Sequence, residues 1–185
     1  LKTIPTEVTF ELTEPNVLML DMAKYALDRE ELSKTEEILR IDDILREKLG
    51  YPLRKGQVAQ PWVIEDLPNE HTATLEFEIN SEIDFIGAEL ALEDADKAQI
   101  TFNGETVQYI DTGFYTDMSI RKTKLPKINK GKNILRVILP FGKRTDLERL
   151  YVLGNFGVKT VGRKTTITVL PDVLSFDDIT KQGLP

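Results

Sequence analysis

The sequence predicts a mainly β protein, an antiparallel sandwich or jelly roll with one substantial helix near its N-terminus. At least eight short segments alternate apolar and polar residues and are separated by turn signals. One amphipathic helical segment precedes most of them, whereas a parallel sheet would need helices between its strands. The 185 residues allow one sizeable core with an attached segment. We therefore expect strands and a helix over residues 1–66, packing on a β-sandwich at 67–185.

The N-terminal segment is expected to contain two strands before the helix. Apolar residues alternate over 8–12, and 17–20 is a short apolar run. Ser33 and Glu36 match a capping box, which predicts a helix over about 34–49. Gly50, followed by proline, would end it. The apolar face of this helix is expected at Ile38, Ile41, Leu45 and Leu49.

The C-terminal part is expected to supply the strands of the sandwich. Asn103-Gly104 favours the positive φ angles of a type I′ turn, so a hairpin is predicted there, with its second strand resuming near Val107. Further strands are predicted from alternation or β-branched content at 72–79, 88–92, 98–102, 134–139, 150–158 and 165–170.

Composition excludes several classes of protein. Hydrophobic residues make up 41% and charged residues 30%, as in ordinary globular proteins. With 31 acidic against 24 basic residues, the net charge of -7 opposes binding to nucleic acid. No apolar run approaches a membrane span, so neither nucleic acid nor membrane is expected as a partner. Cysteine is absent, which leaves the cellular compartment undetermined. Neither terminus resembles a natural chain end, and an excised domain is expected.

Catalytic candidates carry weak signals. Asp21 and Asp84 each lie beside predicted core, but 31 acidic residues make some plausible glycosidase pair inevitable. His71 is the only histidine, and no credible nucleophile lies near it in sequence. We therefore assign no catalytic residue, and a strand-end or turn role is expected for each candidate.

No cofactor or metal is expected. The acidic stretch 93–96 fails the EF-hand pattern, because Ala98 and Gln99 stand where a ligand and a glycine are required. The segment 154–157 lacks the third glycine and the following helix of a nucleotide loop.

Aromatic residues give the best hint of a ligand surface. Sugar rings stack on aromatic side chains while neighbouring polar groups bind hydroxyls. The loop 108–117 combines both chemistries, and loops on a rigid scaffold commonly carry binding residues. The only tryptophan could join this surface or lie in the core. The candidate carbohydrate-binding residues are Trp62, Tyr109, Asp111, Phe114 and Tyr115.

Two motifs carry a family resemblance. The segment 102–107, Phe-Asn-Gly-Glu-Thr-Val, and the segment 130–137, Lys-Gly-Lys-Asn-Ile-Leu-Arg-Val, resemble the Asn-Gly hairpin and the Gly-x-Asn-x-Leu-x-Val strand of the sugar-binding domain of family 2 glycoside hydrolases. The resemblance covers about residues 71–158. It implies a jelly roll with a galactose-binding-like fold. Stretches at 15–21, 60–62 and 153–158 look similar to segments of large bacterial glycosidase-like proteins.

The resemblance implies an accessory role. Enzymes of this kind keep their catalytic residues in a separate barrel of about 250 residues, for which this chain has no room. The expected function is a non-catalytic accessory module of a larger carbohydrate-active enzyme, structural or weakly carbohydrate-binding. Its expected partner is the catalytic domain, with carbohydrate as the candidate ligand. The alternatives are a protein-interaction or adhesion module of a bacterial surface protein, and a small glycosidase using Asp21, Asp84 or His71.

Overall fold

The computed structural model describes residues 6–55 and 63–184, and it confirms a mainly β sandwich with one α-helix. In chain order the elements are β1 (Glu7–Thr9), β2 (Asn16–Leu20), β3 (Met22–Leu27), β4 (Glu36–Glu37), α1 (Ile38–Leu49), β5 (His71–Ser81), β6 (Glu89–Glu93), β7 (Gln99–Phe102), β8 (Glu105–Val107), β9 (Phe114–Tyr115), β10 (Asp117–Lys124), β11 (Gly131–Phe141), β12 (Leu150–Gly154), β13 (Gly157–Val161), β14 (Lys164–Thr168), β15 (Val173–Ser175) and a 3-10 helix (Ile179–Gln182).

Two sheets form the layers of the sandwich. One has the order β2-β12-β6-β10-β9, and the other has the order β13-β14-β5-β11-β7-β8, with β3 also pairing β5. Strands β5 and β11 pair along their whole lengths, from Ser81 opposite Gly131 to His71 opposite Phe141. Nearly all pairs are antiparallel as predicted, but β14 runs parallel to β5.

The core lies between the inner faces of the two sheets. Alternate residues of β5 and β11 point inward and are buried, because successive side chains of a strand face opposite sides. These rows are Ala73, Leu75, Phe77 and Ile79 on β5, and Leu135, Val137, Leu139 and Phe141 on β11. They meet Leu18, Leu20, Leu90, Leu92, Leu150 and Val152 of the opposite sheet in one cluster.

Strands β2 and β3 join the two sheets at one corner. Strand β2 pairs with β12 of the five-stranded sheet, and after Asp21 the chain continues as β3, which pairs with β5 of the other sheet. The predicted N-terminal segment therefore contributes a strand to each layer. The boundary between residues 66 and 67 stays a prediction.

The helix begins later than the sequence predicts. Ser33 does not cap it; its backbone N–H donates to the Tyr25 carbonyl, and Glu36–Glu37 pair with β3 instead. Glu37 is the N-cap, and its carboxylate accepts from the Arg40 N–H at 3.2 Å. Strand pairing thus replaces the capping box. Gly50 ends the helix with a φ of 67°, the left-handed conformation that glycine favours.

A fully buried arginine anchors the helix to the sandwich. The Arg46 Nε atom donates to the Asp42 carboxylate at 2.6 Å. Its Nη1 atom donates to the Lys143 carbonyl at 3.0 Å, and its Nη2 atom donates to the Thr145 carbonyl. The guanidinium also lies 5.8 Å from the centre of the Phe141 ring. The loop after β11 is therefore fixed to the inner face of α1.

The two motifs behind the family resemblance touch each other. Asn103 and Gly104 both have positive φ, 51° and 86°, and connect β7 to β8 as predicted. The Asn103 side chain donates to the buried Asn133 Oδ1 at 2.9 Å and accepts from the Ile134 N–H at 2.8 Å. Asn133 also holds the turn before β11 through the N–H and carbonyl of Asn129. Both motifs therefore have a structural role.

Two further segments differ from expectation. The predicted strand at 150–158 is two strands, β12 and β13, which lie in different sheets. The alternating segment 8–12 forms only the short β1, which pairs with β15 outside the sandwich. Within 6–55 and 63–184, no helix is both long enough and apolar enough to cross a bilayer.

Candidate functional site

A cleft opens where two strands separate along one side of β5. Strand β3 pairs with β5 from Ala73 to Glu76, and β14 pairs with it only at Asn80 and Ser81. Within the described ranges 6–55 and 63–184, the register leaves 77–79 with no strand partner on this side. One wall of the cleft is the corner between β2 and β3, and the other is the hairpin of β13 and β14.

The cleft has two chambers that share a waist. The sheet chamber, about 360 Å³, lies on the outer face of β5 and β11 and includes Glu76, Glu78, Asn80, Lys132 and Ile134. The helix chamber, about 670 Å³, lies towards the start of α1 and includes Glu36, Glu37, Arg40, Val158 and Thr160. The waist is formed by the residues that line both chambers: Met19, Asp21, Met22, Arg163 and Thr165.

Most charges in the cleft are already paired. The Lys132 ammonium lies 2.6 Å from Glu78, and Glu76 lies 2.6 Å from Arg136 and 3.8 Å from Lys24. Hydrogen bonds from Lys132 and Asn80 hold the pKa of Glu78 below its usual value. These contacts fix the carboxylates as hydrogen-bond acceptors in defined positions.

Two charged side chains of the waist have no such partner. Among the described residues, neither Asp21 nor Arg163 makes an ion pair or a side-chain hydrogen bond. Arg163 is exposed at the tip of the β13–β14 hairpin, next to Gly162, whose φ is 61°. Met19, with 45% of its surface exposed, adds an apolar surface. The waist therefore combines an acceptor, a donor and an apolar contact.

Sequence reasoning singled out Asp21 but not the rest of this cleft. Its residues come from segments far apart in the chain. Some of them, such as Lys132 and Ile134 of the segment 130–137, belong to motifs that indicate the fold and give no signal of a binding site. The one available signal was Gly162 after the β-branched residues Thr160 and Val161, which predicts a hairpin turn that would project Arg163. The position of that turn opposite Asp21 depends on the sheet order.

The predicted aromatic loop 108–117 leads into the hairpin of β9 and β10 at the edge of the five-stranded sheet. Tyr109 is half-buried and packs against the core. Asp111 pairs with Arg121 and accepts from the Gly113 N–H at 2.8 Å. Both side chains thus have structural contacts.

The other two aromatic candidates differ in exposure. Phe114 is 52% exposed. Tyr115 packs against Tyr151 of β12 with ring centroids 5.1 Å apart, and burial raises the pKa of Tyr115. Trp62 lies outside the described residues. Of the candidate rings in the described part of the loop, Phe114 is therefore the one that is largely exposed, and the role of the loop in binding stays a prediction.

The remaining catalytic candidates are engaged in structural contacts. Asp84 accepts from the Lys130 N–H at 2.8 Å and from Lys127 at 2.9 Å, and these bonds lower its pKa, whereas a general acid needs a raised one. The His71 Nδ1 atom lies 2.8 Å from the Asp28 carboxylate. In the part of the chain that the structure describes, no group of three or more histidine or acidic side chains is arranged to hold a metal ion.

Comparison with known proteins yields one distant likeness. No family model matches the chain, and no curated protein matches it. Among solved structures, the chain is similar to a family 35 carbohydrate binding module from Clostridium thermocellum. The two are 13% identical, the match covers 81% of this chain and 99% of that one, and the TM-score is 0.31. A likeness at this TM-score carries no argument about this chain.

Proposed function

We propose that this protein is a non-catalytic accessory module of a larger carbohydrate-active enzyme and that it binds glycan in the cleft between the β2–β3 corner and the β13–β14 hairpin. The observation that carries the proposal is the waist, where the unpaired Asp21 and Arg163 lie with Met19 in a ligand-sized cleft.

The chemistry of the cleft suits a polyhydroxylated ligand. A sugar hydroxyl both donates and accepts hydrogen bonds, so it can bridge a carboxylate such as Asp21 and a cation such as Arg163. The C–H face of a sugar ring is apolar and can lie on Met19 or Met22. Each chamber has the volume usual for small-molecule sites, about 300–1,000 Å³.

The charge environment of the sheet chamber supports a binding role more than a catalytic one. A glycosidase needs one carboxyl group held protonated near neutral pH and a second one ionised close by. In the sheet chamber, the pKa of Glu78 is lowered rather than raised. The carboxylates there are acceptors for a ligand, and the reaction itself is assigned to the catalytic domain of the parent enzyme.

A glycan array, followed by calorimetric titration of any hit, tests the proposal. We expect Asp21→Asn to weaken binding by about tenfold or more, because it replaces a charged acceptor with a neutral amide. Asp96→Asn, the same change at an exposed position outside the cleft, should leave affinity unchanged. Tyr115→Ala tests the aromatic loop.

The outcomes separate the two surfaces. Loss of binding in Asp21→Asn with retention in Tyr115→Ala supports the cleft. The reverse pattern would move the glycan site to the loop 108–117. Binding to no glycan at all would refute a carbohydrate-binding role.

A second candidate function is protein interaction. The loop 108–117 and the start of β10 carry three largely exposed apolar side chains, Ile110 at 63%, Phe114 at 52% and Met118 at 73%. Exposed apolar surface of this kind favours docking to another domain. The test is binding of the Met118→Ser variant to the isolated catalytic domain. Loss of this binding with glycan binding unchanged would support this function.

A further inference from the structure

We infer that the cleft binds the interior of a glycan chain, with at least one sugar residue in each chamber, and not a single sugar or a chain end. This inference rests on the proposed function and specifies its ligand.

The two chambers are continuous with each other. Five residues line both chambers, so the two spaces meet at the waist and form one groove. The groove runs from the outer face of β5 and β11 to the start of α1, and both chambers are open to solvent. A site for a chain end would be closed on one side.

Both chambers carry polar groups that can bind sugar hydroxyls. The sheet chamber offers Glu78 and Asn80, which hydrogen-bond to each other at 3.2 Å. The helix chamber offers Thr160 and the carboxylates that precede α1. A ligand confined to one chamber would gain only the hydrogen bonds of that chamber. A longer ligand that reaches both chambers gains the hydrogen bonds of both and should bind more tightly.

The two walls of the waist come from different parts of the fold. The waist side chains Asp21 and Arg163 lie on opposite walls, one on the β2–β3 corner and one on the β13–β14 hairpin. A chain that passes through the waist lies between them. This places the central sugar residue at the waist and its neighbours in the two chambers.

The test is a chain-length series of the polysaccharide identified on the array, from the monosaccharide to the hexasaccharide, titrated by calorimetry. We expect affinity to rise at least about tenfold from one sugar to four, because each added sugar gains hydrogen bonds to the groove. Asn80→Ala in the sheet chamber and Thr160→Ala in the helix chamber should each weaken tetrasaccharide binding about two- to tenfold.

A matched pair on one hairpin controls for unspecific charge effects. Arg163→Ala should weaken binding at every chain length, whereas Lys159→Ala, on the same hairpin but outside the groove, should not. If affinity is independent of chain length, or if either single-chamber variant is silent, the inference is overturned while the proposed function stands. If no glycan binds, both fail.

Discussion

Replacing Arg46 with methionine should destabilise the fold more than any surface substitution. Arg46 is 0% exposed, and its guanidinium donates to the Asp42 carboxylate and to the backbone carbonyls of Pro52, Lys143 and Thr145. Methionine fills part of the volume but donates no hydrogen bond. The substitution therefore removes the arginine donor from one buried carboxylate and three carbonyls, and of these carbonyls Thr145 keeps a 3.5 Å bond from Arg54.

The expected loss is about 3–5 kcal/mol, the cost of removing one member of a buried ion pair. That is a large part of the roughly 5–15 kcal/mol that stabilises a typical domain. Burial already raises the pKa of Asp42, against the hydrogen bond from Arg46 that lowers it. Without the arginine, this pKa should rise further, and the variant should bind a proton there on folding.

Urea unfolding at pH 7 and at pH 4.5, followed by circular dichroism, measures the effect. A carboxyl group whose pKa is raised in the folded state contributes stability at low pH and loses it as pH rises through the folded-state pKa. The penalty of Arg46→Met should therefore be larger at pH 7 than at pH 4.5. The control is Lys48→Met on the same helix, where only an exposed ion pair with Glu30 is lost, for a change within about 1 kcal/mol.

The double variant Asp42→Leu/Arg46→Met separates the charge from the packing. It should recover part of the loss, because the uncompensated carboxylate is gone while the hydrogen bonds from Arg46 to the three carbonyls remain absent. A loss below about 1 kcal/mol in the single variant, or equal losses at the two pH values, would refute the role of Arg46 as the anchor of the helix.

Two further predictions concern stability. Asn133→Ala should cost about 2–4 kcal/mol by urea unfolding, because it leaves the Asn129 backbone and the Asn103 amide unpaired. The control Asn129→Ala keeps that backbone and should be nearly neutral. Equal losses in the two variants would contradict the structural role of the Asn133 side chain. Glu93→Gln should stabilise the protein at pH 7 but not at pH 4, because burial and the nearby Asp146 and Glu148 raise the pKa of Glu93 and its ionisation therefore opposes folding. The gain should stay below about 1 kcal/mol, since the group is half-buried and screened, and it should shrink in 1 M salt; a variant less stable than wild type at pH 7 would show that Glu93 is favourably ionised.

Local sequence signals predicted the elements whose conformation depends on residues close together in the chain. The alternation at 72–79 and 134–139 gave β5 and β11, since a half-buried strand must alternate. Asn103-Gly104 gave its hairpin, because few other residues adopt two consecutive positive φ angles. Gly50 predicted the end of the helix, because glycine adopts the positive φ angle of a helix C-terminus more readily than other residues.

Local signals failed where a tertiary contact competed with them. Ser33 and Glu36 have the spacing of a capping box, but pairing of Glu36–Glu37 with β3 satisfies the backbone there and delays the helix. The apolar stretch at 150–158 looks like one strand, yet its halves lie in different sheets. Neither outcome can be read from neighbouring residues.

The sequence by itself determined the mainly β class, the single helix, the turns that need glycine or asparagine, and the acidic charge of the chain. The tertiary structure alone decided the parallel pairing of β14 with β5, the buried position of Arg46, and the cleft that brings Asp21 and Arg163 together. The physical reason is distance along the chain. Alternation, capping and turn preferences act between residues a few positions apart, whereas the walls of the cleft come from segments some 140 residues apart, and only the order of strands in the sheets brings them together.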